Sequence, residues 1–481
     1  MRRMTTCGVS WLVLGLSTAG AQVRVVDALQ PDGTTALYWA AARNETATAR
    51  RLIRAGADVK AASRYGVTPL ALACVNGNAA MIELLLKAGA DANAAMPGGE
   101  TALMTASRTG VASAVNVLLA HGAEVNARES SRGQTALMWA AGEGHSETIR
   151  ALVERGADVH ARSNAGWTPL LFAVREGQME AVRNLLHAGA NVNDSLPPNT
   201  GGPRRRPEGA PGGADDPRGL SALLLAVGSR HYELAAFLLE KGADPNASGP
   251  GWTALHQVTW VRKTGQGTNG PGPRGSGSLD SLELVRRLAA RGANLNARVT
   301  IKPTVGTTAL NLIGGTPFFL AARTADVDMM RLLVELGADP LLPNEDNTTP
   351  LMAAAGAGTH SPGEDPGTEA EALEAVKLAL KLGNDINVVD KNGNTAMHGA
   401  AYKQLPSVVT FLVASGARVE SWNRKNSSGW TPLRIAVGVH RGMNFRFSIP
   451  TADALRAVMI AAGVSTVVEP ERVVSGATPT K

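Results

Sequence analysis

Two short signals recur along this chain, and their spacing limits what it can fold into more than any other feature. One is Thr-Pro/Ala-Leu, as at Thr68-Pro69-Leu70; the other is Gly-Ala-Asp, as at Gly89-Ala90-Asp91. The threonines of the first (once a serine) stand at 35, 68, 101, 135, 168, 221, 253, 316, 349, 395 and 431. The glycines of the second stand at 56, 89, 122, 156, 189, 242, 292, 337, 383, 416 and, in degenerate form, 463. The first five glycines are 33, 33, 34 and 33 residues apart, so the chain is an array of similar units. Its 481 residues are too many for one compact core, and 4% aromatics beside 53 glycines suit thin repeated layers.

Local physics gives each signal a role. Thr at an N-cap accepts a backbone N–H, and Pro at the first helical position has no N–H to lose. Leu70, Leu72 and Ala73 then give a short helix an apolar face. A break at Gly77 follows, and Met81 to Lys87 reads as a second helix with apolar residues at i, i+3 and i+4. Gly89 supplies the left-handed C-cap. Asp91 to Gly99 has room only for a turn or hairpin finger. Two helices this short cannot bury their faces alone, so neighbouring units must stack.

This pattern resembles the ankyrin repeat. Ser131 to Ser163 reads SRGQTALMWAAGEGHSETIRALVERGADVHARS, nearly a complete consensus unit. The resemblance covers about residues 32 to 466 and implies an all-α ankyrin-repeat solenoid of about eleven helix-turn-helix-finger units. Departures are local. His follows the first-helix signal only at His256 and His398, Asn384 and Val464 replace the usual Ala, and Asn44 stands where Gly is usual.

The spacing also locates insertions. Regular units span 21 residues from Thr to Gly, but the span is 39 from 253 to 292, 34 from 349 to 383 and 32 from 431 to 463. The expected organisation is a signal peptide over 1–21, an N-terminal cap over 22–31 with a short helix at Val23 to Leu29, and regular repeats over 32–194. A disordered Pro/Gly/Arg-rich finger insertion follows over 195–218. Repeats 6–11 then run over 219–466 with insertions at 261–278, 299–315, 356–368 and 439–451, and 467–481 is a tail. Thr316 rather than Thr308 starts repeat 8, because it restores the 21-residue span to Gly337.

Arg2 and Arg3, an apolar run from Val9 to Leu16 and Ala19-Gly20-Ala21 form an export signal, with cleavage expected after Ala21. A periplasmic or secreted protein of bacterial type follows, with no membrane span once the signal is removed. Cys74 alone then remains, at a small-residue helix position where it should be buried and inert. The formal charge is +6 and forms no basic stripe, so nucleic acid is not an expected partner. Arg204-Arg205-Arg206 is a compact basic run that suits an acidic partner.

No metal, phosphate-loop or nucleophile motif is present, and neither catalysis nor a cofactor is expected. His145, His256 and His398 read as hydrogen-bonded structural residues. Trp39 and Trp139 occupy the second apolar position of the first helix and read as inter-repeat core. Trp167, Trp252 and Trp430 directly precede the first-helix Thr, where Val67, Glu100, Gln134 and Asn394 stand in other units. The resemblance implies that this position lines the concave face and contacts partner proteins. The end of the first helix adds Arg43, Asn76, Arg108, Glu143, Arg175, Trp260, Arg323 and Tyr402 as groove candidates. The expected function is a scaffold that binds another protein through its groove and fingers; the alternative is a structural or protective envelope protein that self-associates.

Overall fold

The computed structural model describes residues 27–197, 219–263, 275–303, 308–363, 365–441 and 444–468. The chain divides into two compact units, Met1–Ala173 with Gln178–Ala190 and Val174–Gly177 with Asn191–Lys481. Apart from one two-stranded hairpin and isolated bridges, regular structure among the described residues is helical. The fold is the all-α repeat array that the spacing predicts.

Every one of the eleven first-helix signals opens a helix at the next residue, from Ala36–Ala42 through Pro69–Val75 to Pro432–Val437. Thr35, Thr68, Thr101 and Thr135 cap these helices by accepting the backbone N–H three residues on. Each unit then carries a second helix, such as Ala79–Lys87 or Ser146–Glu154, and the Gly-Ala-Asp glycine follows it at positive φ, for example +97° at Gly89. Asn44, where Gly is usual, adopts φ 64°, which Asn tolerates better than branched residues do.

Small residues let the first helices approach one another. Ala41, Ala73, Cys74, Ala106, Ala140 and Ala141 are wholly buried in the first unit, with Ile82, Leu85, Leu118, Ile149 and Leu152 from the second helices behind them. Burial pushes the Cys74 thiol up to about 12, so it stays protonated and inert at neutral pH.

The fingers are held chiefly by turns and backbone bonds between neighbours. The Asp of each signal shapes its own loop: Asp91 Oδ1 accepts Asn93 N–H at 2.9 Å, and Asp158 Oδ1 accepts His160 N–H at 2.8 Å. The Asn two residues on clasps the next unit. Asn126 Nδ2 donates to Gly156 O at 3.0 Å while its Oδ1 accepts Asp158 N–H at 2.8 Å. Asn93 bridges Gly122 O and Glu124 N in the same way, and Asn246 bridges Gly292 O and Asn294 N. Finger tips also bond directly, as in Asn164 N–H to Arg132 O at 2.8 Å.

Two histidines tie fingers to helices in the second unit. His256 Nδ1 accepts Thr253 N–H at 3.1 Å and Nε2 donates to Ala297 O at 3.0 Å; His398 repeats this with Thr395 N–H and Arg424 O. Both rings are fully buried and need the neutral tautomer, and burial pushes each down to about 4 despite the carbonyls that favour charge. His145 Nε2 reaches Arg108 O at 2.9 Å, so all three histidines are satisfied structurally.

Four expectations about the elements and their packing differ from the structure, apart from the groove candidates. Residues 27–29 carry no helix, and 23–26 lie outside the described residues. Trp39 is exposed and Trp139 half-buried, so neither is core: the alanine-rich contact leaves no room for an indole between neighbouring first helices. The segment read as an insertion at 439–451 forms a hairpin, β1 (Val439–Arg441) against β2 (Asn444–Arg446), before the last helix. The finger after Gly416 contains a short helix, Val419–Trp422, whose Trp422 is buried. The expected disordered segments fall largely outside the described residues.

Asn126→Ala is expected to lower the unfolding free energy by about 1 kcal/mol, because both of its bonds are partly solvated; urea denaturation measures this. Folded His256 and His398 stay neutral down to about pH 4, whereas the unfolded groups take up protons near 6.5. Stability therefore falls as pH drops from 6.5 to 4, and melting temperature against pH should slope less steeply in His256→Gln/His398→Gln. Glu129 acts in a lower window. Burial raises its pKa, but the N–H groups of Arg132, Gln134 and Ser131 and the Ser131 hydroxyl hold it at about 2. Its contribution is present above 4.5 and lost as pH falls toward 2, so Glu129→Gln should flatten stability over that lower range.

Candidate functional site

The first unit exposes an alternation of indole and guanidinium along its first helices. Trp39 and Arg43 sit one turn apart on Ala36–Ala42 and at its end, so their side chains meet. Arg43 Cζ lies 5.7 Å from the Trp39 ring centroid, and Trp39 Nε1 donates to Thr34 Oγ1 at 3.0 Å. Two units on, Arg108 Cζ stacks 4.8 Å from the Trp139 centroid and its Nη2 lies 3.4 Å from Glu100 Oε1. Arg64 covers Tyr65 at a finger tip at 4.9 Å, and Tyr65 is 66% exposed. A guanidinium stacked on a ring keeps edge N–H donors for a carboxylate or carbonyl, while the ring offers apolar area.

Asn76 and Glu143 are exposed at first-helix ends of the same unit; Arg175, which belongs to the second unit, is exposed with its Nε 2.7 Å from Glu176 Oε1. Asn76 is partly structural, since its Nδ2 donates to Ala41 O at 3.0 Å. Trp167 is half-buried with its ring 5.3 Å from Phe172. Arg43 and Arg108 together with Glu100 and Glu143 give the surface of this unit both signs, so it would select a partner by geometry rather than net charge.

The second unit does not present its candidates in this way. Trp252 and Trp260 are 8% and 9% exposed and bury each other edge to face at 5.2 Å. Trp260 lies on Ala254–Arg262 and Trp252 just before its N-cap Thr253, with Trp252 Nε1 donating to Gln257 Oε1 at 2.7 Å. Tyr402 is buried under the following finger, its hydroxyl accepting from Asn426 Nδ2 at 2.7 Å. Arg323 is largely covered because the 356–368 segment folds over its helix end and sets Asp365 3.6 Å away. Trp430 is half-buried. Arg204, Arg205 and Arg206 lie outside the described residues.

Sequence reasoning did not find the ionic network that these inserted segments build. A cleft of about 780 Å³ opens among Arg230, Arg262, Lys263, Asp365, Glu371 and Lys403. Arg262 Nε lies 2.6 Å from Asp326 Oδ2, Lys263 Nζ 2.7 Å from Glu371 Oε1, and Lys403 Nζ donates to Pro366 O at 2.6 Å. The Lys263 ammonium holds the Glu371 carboxyl down at about 2, and burial pushes Lys403 down to about 8 against the pull of Asp365. Arg262 and Lys263 are ion-paired with Asp326 and Glu371 while Lys403 donates to a carbonyl, so the network braces the inserted segments against repeats 7 to 10. The detectable signal was that the 261–278 and 356–368 insertions both enter between two helices of a unit, hence on one edge. Among the described residues no group of three or more His, Cys, Asp or Glu is placed to hold a metal ion, and no helix is long and apolar enough to cross a membrane.

A family model described as ankyrin repeats (3 copies) matches residues 6–96, 62–129, 103–195 and 368–443; one described as ankyrin repeats (many copies) matches 223–260, and one described as ankyrin repeat matches 314–345. The chain is 27% identical over 222 residues to the E3 ubiquitin-protein ligase KEG of Arabidopsis thaliana, covering 40% of this chain and 12% of that protein. It is 31% identical over 84 residues to protein fem-1 homolog C of Xenopus laevis, covering 18% and 14%. It is 41% identical over 64 residues to the RelA-associated inhibitor of Mus musculus, covering 13% and 7%. The chain thus spans only a small part of the length of these relatives.

Proposed function

The chain belongs to the ankyrin-repeat family, and from that footing we propose that it is a non-catalytic scaffold that holds another protein against the first helices and fingers of its first unit. The observation that carries this reading is the pair of stacks, exposed Arg43 on exposed Trp39 and exposed Arg108 on half-buried Trp139. Large rings held rigid by a guanidinium lose little entropy on binding, and Trp and Arg are the residues that most often dominate an interface. Such a surface suits a partner segment that offers carboxylates or backbone carbonyls beside apolar side chains.

The export signal read in residues 1–21 supports a site of action in the envelope, periplasmic or secreted. No nucleophile–base pair lines the one large cleft described, and its Arg262 and Lys263 are ion-paired with Asp326 and Glu371, which supports binding over catalysis.

Crosslinking in the native envelope followed by capture on the purified chain is the test. Trp39→Ala and Trp139→Ala should each weaken capture by about 30-fold, the equivalent of about 2 kcal/mol, with unchanged far-UV circular dichroism. Capture that survives both substitutions together would sink the assignment of this surface. Cell fractionation and the mass of the mature N-terminus check the location separately.

A further inference from the structure

The second helices of the first and last described repeats differ in their solvent-facing residues. A repeat face without a neighbour needs polar residues to stay in water. The second helix of repeat 1, Thr46–Arg54, meets this need with Arg50, Arg51 and Arg54. The corresponding helix of repeat 11, Ile449–Ala461, does not. Its inner side buries Thr451, Ala452, Leu455 and Met459 and packs on Pro406–Ala414. Its outer side leaves Ile449 63% and Ile460 67% exposed. Phe445, Phe447 and Val467 are exposed nearby in sequence, so the large exposed apolar side chains of the described residues concentrate in this final stretch.

Four residues on the solvent-facing side of the helix, beside exposed Pro450, Ala457 and Ala461, form a stripe with an internal symmetry. Ile449, Asp453, Arg456 and Ile460 are separated by 4, 3 and 4 residues, which places all four on one side. Asp453 and Arg456, paired at 2.9 Å and both solvent-exposed, flank the same helix midpoint that Ile449 and Ile460 flank. A two-fold axis through that midpoint would set an antiparallel copy of the helix on this one. Ile449 would then meet Ile460 of the second copy, and Asp453 would meet its Arg456, twice over. A two-fold interface requires just this self-complementarity.

We propose that a second copy of this chain docks on the outer face of Ile449–Ala461, so that the protein forms an antiparallel homodimer through its last repeat. A lipid surface is a poorer fit, because the stripe carries one acid and one base rather than an excess of basic residues. The proposed contact uses no residue of the Trp39 and Trp139 surface, and two chains in one particle would carry two such surfaces, so partner capture would gain avidity.

Sedimentation equilibrium of the full chain tests this. The wild type should show a concentration-dependent monomer–dimer equilibrium, and Asp453→Arg or Arg456→Asp alone should each weaken it by about tenfold or more by setting like charges face to face. Mixing the two charge variants should restore dimerisation. One copy then carries only cations at these two positions and the other only anions, so both contacts again join opposite charges. Ile460→Asp should dimerise with none of them. Wild-type chain that stays monomeric at every concentration, or charge variants whose mixture stays as weak as each alone, would overturn the proposal. Capture of a partner by the first unit is read separately, so the two assignments fail independently.

Discussion

The structure depends on contact between neighbouring repeats. A nine-residue helix such as Ala79–Lys87 does not persist alone in water, because nucleation costs more than so few hydrogen bonds return. Each helix pair becomes stable only when its apolar side is sealed by the next pair. The seal is made of small residues, Ala41, Ala73, Ala106 and Ala140, so the backbones approach closely and a change of volume is felt at once. The asparagine clasps and finger-to-finger bonds then set the register of one repeat on the next, because they bond specific backbone atoms where the apolar contact is non-directional.

That arrangement divides the labour among residues. Residues that serve the stack are small, apolar or aimed at the backbone, and they recur at the repeat interval. Residues free of that duty sit at first-helix ends and finger tips, where Arg43, Arg64, Arg108, Trp39 and Tyr65 lie. Binding identity lives in these, and they are carried on rigid elements although several belong to loops. In the second unit other segments occupy the corresponding positions: the 356–368 insertion brings Asp365 to Arg323 and Pro366 to Lys403, and the following finger brings Asn426 to Tyr402. Repeats of one design thus present a surface in one half and an internal brace in the other.

Buried titratable groups follow the same logic. His256 and His398 join the N-cap threonines Thr253 and Thr395 with a ring that bonds the finger on one side and the helix N-terminus on the other. They work only while neutral, so this join is strong near neutrality and weak in acid. Glu129 makes a similar loop join as an anion and holds to lower pH.

The sequence by itself determined the elements and their order. Threonine, proline and glycine act on the few backbone atoms next to them, so the helix starts at Thr68 or Thr316 and the left-handed turns at Gly89 or Gly337 were legible from spacing alone. Exposure was not legible to the same degree. Trp39 and Trp139 read as core and are not, while Trp252, Trp260, Tyr402 and Arg323 read as groove and are covered. The burial of a side chain at a helix end depends on what a segment tens of residues away does above it. Only the tertiary structure decided that the 356–368 segment closes over Arg323 and Lys403, and that nothing described closes over Ile449 and Ile460. Local rules fix backbone conformation because their partners are neighbours in the chain; surface chemistry is fixed by partners that become neighbours only on folding.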